Sequence, residues 1–88
     1  MGAAVSEITS DLQGRYKLPS NKGLVVVRVE RGSVADELGL RAGDQILEVN
    51  RRRVESISDW EKIVSNDPTT VVMLVQREGQ TLFFSYKK

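Results

Sequence analysis

Apolar and polar positions along the 88-residue chain change their period several times, and each change marks an element. Val5 to Ile8 alternates weakly and predicts a short strand. Ser10-Asp11 predicts a helix N-cap, with Asp11 favoured at the positive helix end, and a short helix through Leu12 and Tyr16 that breaks near Pro19. Ser20-Asn21-Lys22-Gly23 is loop chemistry. Leu24 to Val29 is rich in β-branched residues and predicts a strand buried on both faces. Arg31-Gly32-Ser33 turns the chain, and Ser33 caps a helix from Val34 to Leu38 that Gly39 ends by taking the left-handed conformation. Gly43-Asp44 is a turn signal, because glycine accepts positive φ and aspartate bonds the local backbone. Gln45 to Asn50 is the next strand, followed by a turn at Arg51 to Arg53.

Ser56 or Ser58 caps a second clear helix that runs to about Asn66. Asp67-Pro68 stops it, since the residue before proline is pushed out of the helical region. Val71 to Gln76 predicts a strand, Glu78-Gly79 a hairpin turn, and Thr81 to Tyr86 the strand that pairs back. The chain thus predicts a mostly β fold with two or three helices, a partly open antiparallel barrel or sandwich in one domain spanning residues 1–88. Within the long helix, Ile57, Glu61 and Val64 share a face at i, i+4, i+7 spacing, and Trp60 with Ile63 forms the neighbouring stripe. One stripe meets the core and the other is left for a ligand or partner. The favoured assignment sends Trp60 inward, the commoner fate of a large aromatic. The reverse keeps Trp60 as the roof of a pocket.

Composition narrows the chemistry. Thirteen basic and twelve acidic residues nearly cancel, so no strong field draws in nucleic acid or an anionic membrane. There is no cysteine and no histidine. Disulfides and thiolate metal sites are excluded, and the usual general base and commonest metal ligand are missing, so neither enzymatic activity nor a cofactor is expected. Apolar runs are too short to span a bilayer, and no signal peptide is read at the N-terminus. Arg51-Arg52-Arg53 reads either as a contact for phosphate or anionic lipid or, better with the near-zero net charge, as a solvated turn. Asp36-Glu37 reads as a solvated helix face rather than a metal site. Phe83 and Phe84 point to opposite faces of the last strand, so one of them is a candidate for exposure.

From Leu38 to Asn50 the run Leu38-Gly39-Leu40-Arg41-Ala42-Gly43-Asp44-Gln45-Ile46-Leu47-Glu48-Val49-Asn50 resembles the helix-to-strand signature of PDZ domains, specifically those of bacterial periplasmic HtrA (Deg) serine proteases. Leu24 to Val29, Val71 to Arg77 with its Arg-Glu-Gly turn, and the opening Val5 to Leu12 also fit, so the resemblance covers essentially the whole chain. It implies the circularly permuted PDZ of that family, with the strand that opens an animal PDZ coming last, here Thr81 to Tyr86. The end at Lys87-Lys88 points to the C-terminal, second PDZ of such a protease.

The implied function is peptide capture by β-strand addition, for substrate capture, regulation and oligomer assembly in the periplasm or cell envelope. The implied partners are peptide or unfolded-protein C-termini and the protease and PDZ domains of the parent oligomer, with no nucleic acid and no membrane. The family's carboxylate loop, of pattern any-apolar-Gly-apolar, falls on Met1-Gly2-Ala3. Its first position has no counterpart, and Ala3 is small where the family carries a bulkier apolar residue. The competing expectation for Met1 to Ala4 is a free chain end. The implied peptide site is Met1, Gly2, Ala3 and Val5 on the strand side and Ile57, Glu61 and Val64 on the helix side. The alternative implied role is a scaffold PDZ with a vestigial groove that docks to neighbouring domains.

Overall fold

The computed structural model describes residues 1–66 and 69–87. Its elements are β1 (Ala3–Glu7), α1 (Ser10–Arg15), β2 (Leu24–Val29), α2 (Val34–Leu38), β3 (Gln45–Val49), β4 (Arg52–Arg53), α3 (Ile57–Ser65), β5 (Thr70–Arg77) and β6 (Gln80–Lys87). All strand pairs are antiparallel, in the order β1-β2-β3-β5-β6, with β4 pairing β3 off that path. The mostly β, open antiparallel architecture read from the sequence is the one observed.

Alternation sorts the sheet into two faces. Leu24, Val26, Ile46, Val49, Val71, Met73 and Val75 point to one face, where Ala35 and Leu38 of α2 and Trp60 of α3 close the core. Val25 and Gln45 are cross-strand partners and share the other face. Both are fully buried. There the Gln45 amide donates to Ser20 Oγ at 3.1 Å and to the Lys22 carbonyl, which holds the loop before β2 over the sheet. Burial on both faces, expected for all of Leu24 to Val29, thus holds only for its first three residues. Beyond Val26 a register shift against β1, between Ala4 and Val5, resets the alternation, so Val29 packs on the core and Arg28 is exposed on the outer face.

The helix caps follow local hydrogen bonding. Ser33 Oγ accepts from the Asp36 amide at 3.2 Å, and Gly39 ends α2 at φ 97°. Ser56, not Ser58, caps α3 by accepting from the Asp59 amide at 3.1 Å. At α1 the cap is Thr9, whose Oγ1 accepts from the Leu12 amide at 3.2 Å, so the helix starts one residue before the Ser10 cap would place it. The expected stop at Asp67-Pro68 lies outside the described residues.

Two other boundaries move. β1 begins at Ala3 and leaves out Ile8, because pairing to β2 sets its extent. The turn after β3 is Asn50-Arg51, at φ 50° and 67°, which frees Arg52–Arg53 to pair as β4. Asn50 locks this turn, with Oδ1 accepting from the Val72 amide at 2.8 Å and Nδ2 donating to the Thr70 carbonyl at 3.1 Å.

An ion pair ties the signature segment to the far hairpin. Asp44 is 1% exposed and accepts from Arg77 through both oxygens, at 2.7 and 2.6 Å. Arg77 also donates to the Gly39 carbonyl at 2.8 Å and lies 5.5 Å over the Phe84 ring. The Asp44 hydrogen bond raises the Arg77 pKa, which keeps the guanidinium charged.

Candidate functional site

β1 and β6 end the main strand path of the sheet, and β1 is the one beside which α3 packs. Ala3 stands opposite Val29, and the Glu30 amide donates to the Gly2 carbonyl at 2.8 Å, one residue outside that pair. In an antiparallel ladder this makes Ala3–Val29 a non-hydrogen-bonded pair, so the Ala3 N–H and C=O both turn away from β2 toward the free edge. The edge therefore offers one donor and one acceptor to an added strand at the start of β1.

Met1 and Gly2 extend that offer. The Ala35 amide, in the first turn of α2, donates to the Met1 carbonyl at 2.9 Å. A trans peptide points its N–H opposite its C=O, so the Gly2 N–H faces away from α2. Gly2 adopts φ 90°, and a Cβ there would fall 2.1 Å from Ser33 Cβ. Glycine is needed both for the dihedral and for the close approach. Backbone amides left without an internal acceptor are the kind of group that attracts an anion. Met1 and Ala3 are half-buried and pack against the core, which overturns the free-chain-end expectation for Met1 to Ala4.

The other wall is α3. Its start is doubly held, because Asp59 Oδ2 accepts from the Glu55 amide at 3.1 Å while Ser56 caps Asp59. The Glu55 amide hydrogen bond lowers the Asp59 pKa against an opposing burial effect. Trp60 is 6% exposed and belongs to the core, as the favoured stripe assignment has it. Ile57 and Val64 are half-buried, pack at the core margin and remain partly open, as does Ile63. Glu61 is exposed. On β1, Val5 is half-buried against the core and Ala4 is exposed, so Ala3 and Val5 share the inner face.

Other features divide differently. An open concavity of ≈ 430 Å³ lies away from this edge, lined by Leu47, Val54 and Leu74 with Glu48 and Arg53 at its rim. Arg51, Arg52 and Arg53 are all exposed, and Arg53 sits 3.7 Å from Glu55, the arrangement of a solvated hairpin. Among the described residues no three His, Cys, Asp or Glu converge as a metal site. The roles of Ser33, Ala35 and Glu30 in shaping the Gly2 loop were not read from the sequence. They act through backbone groups and one steric contact, which leave no pattern along the chain.

A protein-family profile described as a PDZ domain matches residues 25–77. The chain belongs to the PDZ family. A PDZ domain is a non-catalytic module, in keeping with the composition. This PDZ domain is 36% identical over 84 residues, 93% of its length, to a DegP-like periplasmic serine endoprotease of Chlamydia pneumoniae. It is 30% identical over 63 residues, 72% of its length, to the periplasmic serine endoprotease DegP of Escherichia coli K12. The chain spans only 17% and 13% of these two relatives.

Among solved structures, the HtrA3 PDZ domain bound to a phage-derived ligand, FGRWV, superposes with a TM-score of 0.85 at 25% identity, over 99% of this chain and 81% of that one. The HtrA-type protease AlgW with a decapeptide gives 0.86 at 25% identity, over 98% of this chain and 27% of that one.

Proposed function

We propose that this PDZ domain captures extended peptides by adding them as a strand to β1, and that it reads their C-terminal end. The single observation that carries this reading is the Ala3–Val29 pair, which leaves both Ala3 backbone groups on the free edge. In this reading the Gly2 and Ala3 amides receive the terminal carboxylate, with Met1 closing the end of the site. The last side chain enters an apolar cleft between Ala3 and Val5 on one side and Ile57 and Val64 on the other, with Glu61 at the rim. The small Ala3 leaves the cleft wide at its end, which suits a Leu- or Phe-sized residue. Burying one such side chain contributes about 1.5–3 kcal/mol, which after ordering costs corresponds to micromolar binding.

The periplasmic relatives support a setting in the periplasm or cell envelope, and the peptide-bound neighbours support peptide capture. There, residues 1–88 act as one module of a longer serine protease, capturing substrates or regulatory peptides. The test is an NMR titration with a peptide ending in apolar residues, beside its C-terminally amidated twin. Shifts at Gly2 to Ser6 and Ile57 to Val64 with the free carboxylate alone are expected. Equal shifts with the amide leave strand addition without end recognition, and none with either removes the reading.

A second reading has its own observation. Phe83 is 74% exposed and Val72 36%, and Phe83 pairs across the sheet with Leu74, which lines the 430 Å³ concavity. This outer face suits docking to a protease or PDZ domain of the parent oligomer, the scaffold role. Replacing Phe83 by Ser then weakens docking and leaves the peptide shifts in place.

A further inference from the structure

We propose that Arg28 gives this edge a preference for an acidic residue at the penultimate position of the peptide it takes. The inference rests on the strand-addition reading above and deepens it.

Register supplies the argument. The Ala3 N–H and C=O are the groups available at the start of the edge, so the last residue of an added antiparallel strand lies opposite Ala3. Its neighbour then lies opposite Ala4. Ala3 and Val29 pack toward the core, and Ala4 and Arg28, the next cross-strand pair, are both exposed on the outer face. Directly opposed residues share a face. The penultimate side chain therefore stands in one row with Ala4 and Arg28, on the face away from Ile57, Glu61 and Val64.

Distance fits as well. Two strand spacings put the peptide backbone about 10 Å from β2. Arginine carries its charge on a long flexible stem, and only the Ala4 methyl lies between. An extended Glu in the peptide spans the remainder. Among the described residues Arg28 makes no ion pair within 4 Å, so its guanidinium is not already committed to a carboxylate. The nearest competing carboxylate along the chain is Glu30, just past the end of β2, whose amide bonds Gly2. Pairing on this open face is solvent-screened, so the effect is one of selection rather than of gross affinity.

The experiment uses three fluorescein-labelled five-residue peptides with free carboxylates, ending -Ala-Val, -Glu-Val and -Lys-Val, titrated by anisotropy at low salt. The unaltered domain should bind -Glu-Val tightest and -Lys-Val weakest, with Kd values about three- to tenfold apart. R28E should invert that order, and Glu30→Gln should widen it by removing the competing carboxylate. Equal binding of all three peptides, or an order that survives R28E, overturns the proposal while leaving strand addition standing. Failure of -Ala-Val itself to bind brings down the strand-addition reading and this proposal with it.

Discussion

At Gly2 the backbone takes φ 90° and a Cβ would fall 2.1 Å from Ser33 Cβ. Gly2→Ala should therefore push the chain off α2, break the Ala35-to-Met1 hydrogen bond, and cost about 1–3 kcal/mol of local strain. Binding of a C-terminal peptide should fall by about tenfold or more, roughly 1.4 kcal/mol, while the core signals of Trp60 and Met73 persist in NMR spectra. Asp44 lies at the opposite extreme of burial. Asp44→Asn leaves Arg77 without a charged partner beside Phe84, and should lower stability by about 2–4 kcal/mol in urea unfolding, less than a fully buried pair because Arg77 keeps 22% of its side chain exposed. Trp60 was legible from sequence because its size and stripe both favoured the core. Asp44 was legible as a turn residue, but its pairing with Arg77, 33 positions away, was not. Nothing local announces a long-range ion pair.

Elements were legible to the extent that they stabilise themselves. α2 and α3 carry their own caps, so Ser33 and Gly39 fix the bounds of α2, and Ser56 fixes the start of α3. β1 carries no such signal, and its limits come from β2 across the ladder, which is why its first residue was misplaced. The start of α3 should also respond to acid. The Asp59 pKa lies below its ordinary 3.8, so its hydrogen bond to the Glu55 amide contributes fully above that value. That contribution is lost as pH falls through the lower folded-state value. Amide protection across residues 56–60, taken relative to the intrinsic exchange rate at each pH, should thus fall on going from pH 5 into the region below 3.8, and Asp59→Asn should flatten the response. An exchange profile identical in the two proteins would remove Asp59 from that role. The last hairpin offers a test of alternation. Phe84 packs on the core under Arg77, so Phe84→Ala should cost about 3–5 kcal/mol, whereas Phe83→Ala should cost less than about 1 kcal/mol. Thermal unfolding of the two variants separates them.

For the whole molecule, the strand path leaves β1 and β6 at its two ends. The order of strands and helices was readable from the sequence because each hydrophobic period ends in a glycine, proline or turn pair. The strand order in space was not readable from the residues alone, since it depends on how distant strands pair; only the resemblance pointed to the N-terminal strand as the peptide edge. The end of the open edge has a further consequence. On the proposed reading a chain end there meets the Gly2 and Ala3 amides, neutral dipoles whose backbone is held by Ala35 and Glu30, rather than a lysine or arginine on a flexible stem. Mobile ions screen a point charge in solvent far more than short dipolar contacts inside a cleft. Recognition of a chain end here should then hold nearly constant as ionic strength climbs, while the Arg28 selection fades. Salt would change which chain ends are preferred, and scarcely whether chain ends are taken at all. If the proposed reading holds, such a module keeps its basic task in a periplasm whose ionic composition follows the surrounding medium.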